Sequence, residues 1–253
     1  MHRSLSRLFR VFGPAWITML ADMDASSIIG AAQLGSAFQY SFIWFLLILI
    51  LPLYIIQEAS GRIGAVTRQG LGDTIRGHYS KATASLMVIP MFFADIATYV
   101  AEFLGTSPGT FISAQSLASV LQPVAGRFSP YAFGIGLIAS GFLALIVVAL
   151  ASAWSVAEVL RIKKRQLLYA VESLPAVLLV LLIPPSMLVN GVIDFLVVFV
   201  FVLLGPAVIL GMIAQDRKIM GHFAFSRYEA IAYWLASAFV LVFGIISAII
   251  SIW

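Results

Sequence analysis

The chain has 253 residues, 62% of them hydrophobic and only 10% charged, against roughly 45–50% apolar and 25% charged in an ordinary soluble domain. With 11 acidic and 15 basic side chains it cannot clothe a water-facing globule, and its mean hydropathy of +1.05 lies where multispanning membrane proteins lie. The absence of cysteine excludes disulfides, thiolate metal sites and cysteine nucleophiles; the net charge of +4 has to be tested as a topology signal before it is read as a nucleic-acid surface.

In chain order, Met1 to Arg10 is basic, but the apolar run after it is long, carries two aspartates and has no A-x-A-like site, so no cleavable signal peptide is expected. Crossing about 30 Å of hydrocarbon takes about 20 residues. Seven segments qualify, at 11–35, 41–58, 83–104, 131–153, 168–188, 192–213 and 229–252. The stretch 106–124 is too polar and broken to span and reads as a loop with a short amphipathic helix. Pro184 and Pro185 end the fifth span.

The basic residues orient these spans. Arg3, Arg7 and Arg10 precede the first; Arg62, Arg68, Arg76 and Lys81 follow the second; Arg161, Lys163, Lys164 and Arg165 follow the fourth; Arg217, Lys218 and Arg227 follow the sixth. All of these fall on one side, and Arg127 alone falls on the other, so the positive-inside rule places the N-terminus in the cytoplasm and the C-terminus outside. The fold class is therefore an all-α, polytopic membrane helix bundle forming a single transmembrane domain over 1–253, with the lipid bilayer as solvent and no nucleic acid as partner.

Acidic residues inside the hydrocarbon are costly unless paired, protonated or facing water, and so mark function. Asp22 and Asp24 lie mid-span in VFGPAWITMLADMDASSIIGAAQLG. On an unbroken helix they point about 200° apart, so a shared cavity requires an interrupted first helix. Its freed carbonyls, a carboxylate and a hydroxyl would then make an all-oxygen cation site. A helix-end hydrogen bond is the structural alternative. In the third span, Asp95, Thr98 or Tyr99, and Glu102 fall at i, i+3 or i+4, and i+7, forming one polar stripe suited to a proton or ion path or to inter-helix hydrogen bonds.

Other polar residues read as structural. Glu58 and Glu158 stand beside Arg62 and Arg161, where interfacial ion pairs are expected. Glu172 fits an interfacial or a buried position equally well, and Asp194 suits a helix N-terminus. His2, His78 and His222 have no metal-ligand spacing.

Three segments together resemble the Nramp family of divalent-metal transporters. GPAWITMLADMDASSIIGAAQLGSAFQYSFIW is similar to the family's broken first helix with its Asp-Pro-Gly-Asn motif, QEASGRIGAVTRQGLGDTIRGHYSK to its loop after helix two, and DRKIMGHF to the loop before its final helix. The resemblance is best over 1–105, poor across the spans of 106–190, and returns over 191–253, the last two helices.

This resemblance implies roles residue by residue. Asp24 matches the family's metal-binding aspartate, Ser27 stands where its asparagine ligand would be, and Ala25 offers an exposed carbonyl; these three form the expected metal site. Glu102 matches the third-helix glutamate of the proton route, with Asp95 and Asp22 as companions, while Tyr99 replaces the usual aspartate. The family has a LeuT-like architecture of two inverted repeats, of which this chain resembles a part, with helices one to five followed by the last two. It contains no Met-Pro-His triplet, hence no soft thioether ligand. An all-oxygen site favours a hard cation such as Mg²⁺ or Mn²⁺, as substrate and not as cofactor.

The reading is thus membrane transport of divalent cations, with proton coupling as a component. Because one broken helix leaves a midplane site half built, a homo-oligomer or a partner membrane chain is expected. The alternative is a truncated, non-transporting Nramp-like binding or regulatory subunit. An enzyme is not expected: the last span has no lysine for a retinal Schiff base, and nothing around Asp24 and Asp95 resembles a di-aspartyl protease. Lack of cysteine fits a prokaryotic plasma membrane.

Overall fold

The computed structural model describes residues 43–105, 122–184 and 201–252, together with 38–41 and the single positions Ser27 and Ala31. Helix α1, Ile43–Thr67, outlasts the apolar segment 41–58. Its polar extension stays helical because Glu58 and Arg62 pair across one turn at 2.7 Å, as the sequence predicts. About 100° around the helix from this pair, Ala59 and Ile63 are buried. The helix stops at Arg68, whose φ is 53°.

Helix α2, Leu71–His78, is a short amphipathic connector. It is seated by Ile75, which is buried, and by Arg76, whose guanidinium donates to the Val159 carbonyl. Helix α3, Lys81–Gly105, begins at Ser80, whose hydroxyl accepts the Thr83 N–H at 3.0 Å. Helix α4, Ser129–Leu160, starts with Pro130 in its first turn and ends at left-handed Arg161. Helix α5, Arg165–Leu182, ends where Ile183 is extended ahead of Pro184. It stops earlier than the expected 168–188 because the residue before a proline is driven out of the helical region.

Helix α6, Phe201–Gln215, leads into the Asp216 loop. There the Asp216 carboxylate accepts the Lys218 N–H at 2.7 Å, Met220 is buried, and Gly221 takes φ 57°, ψ −125°, a conformation open to glycine almost alone. The Phe225 N–H closes the loop onto the Ala214 carbonyl at 2.8 Å. Helix α7, Arg227–Ile252, opens with a capping box: the Glu229 carboxylate accepts the Ser226 N–H at 2.7 Å, and the Glu229 N–H points back at the Ser226 hydroxyl at 3.4 Å.

Among the described residues α1, α3, α4 and α7 are long and apolar enough to cross a membrane, and no strand is present. The protein is an all-α membrane helix bundle. Helices α3, α4 and α5 pack on one another, α7 packs on α1, and α2 lies against α3 and α4. One apolar cluster joins Ala59 and Ile63 of α1, Ile75 of α2, Val159 of α4, Ile213 of α6, Met220 and Tyr233. These are the helix ends flanked by basic residues, so the packing gathers at one end of the bundle the segments that the charge distribution assigns to the cytoplasm.

Glu158 departs from expectation. It makes no ion pair with Arg161; its carboxylate lies over the N-terminus of α2, against Gly70 and the Asp73 backbone N–H. Arg161 is carried away because it adopts the left-handed conformation that ends α4. The Asp73 backbone N–H at the start of α2 and the charge of Arg165 supply the compensation instead, against the repulsion of the Asp73 carboxylate. Asp22, Asp24, Ala25, Asp194 and most of the first span lie outside the described residues.

Candidate functional site

Residues 95, 99 and 102 recur at helical spacing on α3, and α3 faces both α4 and α5. The structure decides the ambiguity between Thr98 and Tyr99. The Thr98 hydroxyl is spent on its own helix, donating to the Ala94 carbonyl at 3.3 Å. Tyr99 is 2% exposed and is packed with Val100 and Ala149 between α3 and α4. Glu102, one turn further, is 1% exposed. The stripe expected from the sequence is therefore turned inward.

A residue from another helix joins it. Glu172 of α5 is fully buried, and its carboxylate faces Ser152 of α4 together with Asp95 and Tyr99 of α3. Asp95 also faces Ser152. Among the described residues, the Glu172 carboxylate and the Tyr99 hydroxyl are buried beside one another and Ser152 without a hydrogen bond of good geometry. Burying polar atoms in this way is expensive, and among the described residues no basic side chain is one of the charged groups acting on Glu172. Arg165, two turns earlier on α5, lies instead over the Trp154 ring with its guanidinium 5.5 Å from the centroid.

Sequence reasoning left Glu172 undecided between surface and interior. Its one available signal is the lack of a basic residue within four positions on its own helix. Which way it points depends on how α5 docks, and spacing along one helix carries no such information.

Two clefts flank this cluster. One, of about 280 Å³, is lined by Tyr99, Leu145, Tyr169 and Ser173 among others. The second, about 230 Å³, is lined by Trp154, Arg165, Gln166 and Tyr169 at the basic end of α5. Tyr169 borders both. A larger cavity of about 470 Å³ between α6, α7 and α1 is almost wholly apolar, with Ser60 and Ser237 as its hydroxyls, and has no acid to bind a cation.

Of the residues expected to bind metal, Ser27 is helical and exposed, while Asp24 and Ala25 lie outside the described residues, as does Asp22. The described residues contain no group of three or more Asp, Glu, His or Cys side chains close enough to hold a metal ion. Asp95 and Glu172 both face the Ser152 hydroxyl, each from its own helix.

The family model described as natural resistance-associated macrophage protein-like (Nramp) matches residues 15–112 and 106–249. The chain belongs to the Nramp family. Its curated relatives include the metal transporter Nramp3 of Oryza sativa subsp. japonica, 31% identical over 104 residues, which are 41% of this chain and 19% of that protein. Divalent metal cation transporters MntH match similarly. That of Verminephrobacter eiseniae is 30% identical over 107 residues, 42% of this chain and 24% of the relative; that of Chromohalobacter salexigens is 33% identical over 96 residues, 38% and 22%. The matched segment thus spans about a fifth to a quarter of each of these Nramp relatives. Membership accounts for the apolar helices and places the α3 stripe in a family of integral membrane transporters.

Proposed function

We propose that this Nramp-family chain takes part in moving divalent cations across a membrane, the relatives being named as metal transporters. The observation that carries the reading is the inward-facing acidic stripe of α3, with Glu102 buried in a span whose surroundings are apolar. An intramembrane acid of that kind belongs to a water-lined or ion-linked path more readily than to packing alone. In this reading Asp24, the Ala25 carbonyl and Ser27 hold the cation, and Glu102, Asp95 and Asp22 accept and pass protons. Oxygen-only ligands favour Mg²⁺ or Mn²⁺.

In this reading a second copy or a partner membrane chain supplies the facing half of the midplane site. The bacterial MntH relatives support a prokaryotic plasma membrane as its location. The test is uptake of Mg²⁺, Mn²⁺ and Ca²⁺ by purified protein in liposomes. Uptake that Asp24→Ala abolishes is expected; uptake unchanged by that substitution overturns the metal-site assignment.

The short match to each relative favours a second reading, a non-transporting binding or regulatory subunit. It predicts no uptake by the isolated chain, together with co-purification of another membrane protein. Robust uptake by the chain alone refutes it.

A further inference from the structure

We propose that the seam between α4 and α5 binds one anionic phospholipid of the cytoplasmic leaflet, with its headgroup at the turn Arg161 to Arg165 and an acyl chain along the two helices. The site stands apart from the acidic stripe of α3 and does not rest on the transport reading.

The turn joining α4 to α5 carries Arg161, Lys163, Lys164 and Arg165, all exposed. Orientation of the chain accounts for the sign of this cluster but leaves its charge unmatched. Glu158 and Asp73 stand nearby, and the four cations outnumber them. Among the described residues the ion pairs are those of Arg62 with Glu58 and Glu229, so none of the four is held by an acid. A cluster of this size at the cytoplasmic end of a span is the electrostatic mark of an anionic lipid surface.

Charge alone attracts such lipids loosely, and the geometry adds a seat. Next to the turn, the cleft of about 230 Å³ has Trp154 and Leu150 of α4 on one wall and Arg165, Gln166 and Tyr169 of α5 on the other. The Arg165 guanidinium is kept at this mouth by the Trp154 ring, 5.5 Å from its centroid. Arginine binds phosphate oxygens through its planar fork, and the Gln166 amide adds donors beside it. Trp154 is 51% exposed and Tyr169 36%, as suits amphipathic rings at a membrane boundary.

The cleft of about 280 Å³ continues from Tyr169. On α4 the lining descends through Trp154, Leu150, Ile146 and Phe142, in steps of four residues. On α5 it descends through Arg165, Tyr169, Ser173 and Val177, again in steps of four. Such rows are the natural ridges of a helix surface, and α4 and α5 pack on one another, so the two rows frame one groove. Its polarity falls with depth, because the Ser173 hydroxyl is spent on the Tyr169 carbonyl at 2.9 Å. Arg165 and Val177 are twelve residues apart, a rise of about 18 Å, and one leaflet supplies about 15 Å of hydrocarbon. A groove that is basic at one end, apolar at the other and one leaflet long fits a phospholipid; a free phosphate has no use for its apolar length.

The experiment is quenching of tryptophan fluorescence in the full chain, held in phosphatidylcholine nanodiscs to which dibrominated phosphatidylglycerol or dibrominated phosphatidylcholine is added. The difference between wild type and Trp154→Phe isolates the Trp154 signal. That signal is expected to be quenched by the phosphatidylglycerol at a mole fraction at least tenfold lower than by the phosphatidylcholine. Lys163→Gln and Lys164→Gln, both at exposed positions, should each cut the preference by up to about fivefold, while Arg127→Gln, on the other side, should leave it intact. Equal quenching by the two lipids overturns the proposal, as does a preference that the lysine variants do not weaken or that Arg127→Gln weakens as much. Loss of the preference on adding millimolar inorganic phosphate shows a site for the free anion, and Trp154 shielded from both lipids shows a seam covered by protein; either result overturns it.

Discussion

Arg62 Nη2 lies 2.7 Å from Glu229 Oε1, joining two residues 167 positions apart in the chain. The same guanidinium pairs with Glu58 at 2.7 Å and sits 4.8 Å over the Phe225 ring. One side chain thereby ties the end of α1, the Asp216 loop and the start of α7. Glu229 is doubly committed, since its other oxygen caps α7.

Because the pair is partly exposed, its stabilisation is modest. Glu229→Gln is expected to cost about 1 kcal/mol and Arg62→Ala somewhat more, as the latter also strips the cover from Phe225. A double-mutant cycle by thermal unfolding in detergent checks this; additive losses would mean that the two side chains do not interact.

Gly70 is constrained, if at all, by its neighbour and not by its φ, which is an ordinary −66°. A Cβ there runs into the Glu158 carboxylate. Gly70→Ala displaces the flexible end of Glu158 from the α2 N-terminus and should destabilise the protein by about 0.3–1 kcal/mol. Adding Glu158→Ala should cost little more, since the cap on α2 is already displaced. The check is the unfolding midpoint of the single and double variants, and losses that simply add argue against the collision.

Gly221 makes the opposite case. Nothing stands near its missing Cβ, and the constraint is φ alone. Gly221→Ala is expected to cost about 1–3 kcal/mol in backbone strain. Limited proteolysis should find the Asp216 loop opened, whereas Gly77→Ala, in the unstrained interior of α2 with equal space, should leave it resistant.

Tyr233 is fully buried and its hydroxyl donates to the Ala207 carbonyl at 2.6 Å, holding α7 to α6. Tyr233→Phe should cost about 1 kcal/mol. Gly211→Ala, which drives a Cβ into the same ring, should cost more. Thermal unfolding ranks the two.

Composition alone determined that this chain lives in lipid, because 10% charged residues cannot solvate a globule of this size. Spacing alone determined that Asp95 and Glu102 share a face, since the helical repeat is a local property of the chain. Both hold without knowing any neighbour. The Glu58–Arg62 pair was legible for the same reason, being four residues apart on one helix.

What the tertiary structure decided lies between helices. It chose Tyr99 over Thr98, carried Glu158 from Arg161 to the N-terminus of α2, joined Arg62 to Glu229, and turned Glu172 inward to face Ser152 and the α3 stripe. Each of these depends on the rotation of one helix against another. That rotation is set by close packing of apolar side chains summed over the whole interface, a quantity no single helix encodes. The sequence therefore determined that Asp95 and Glu102 enter the membrane on one face, and packing decided that Glu172 is buried beside that face.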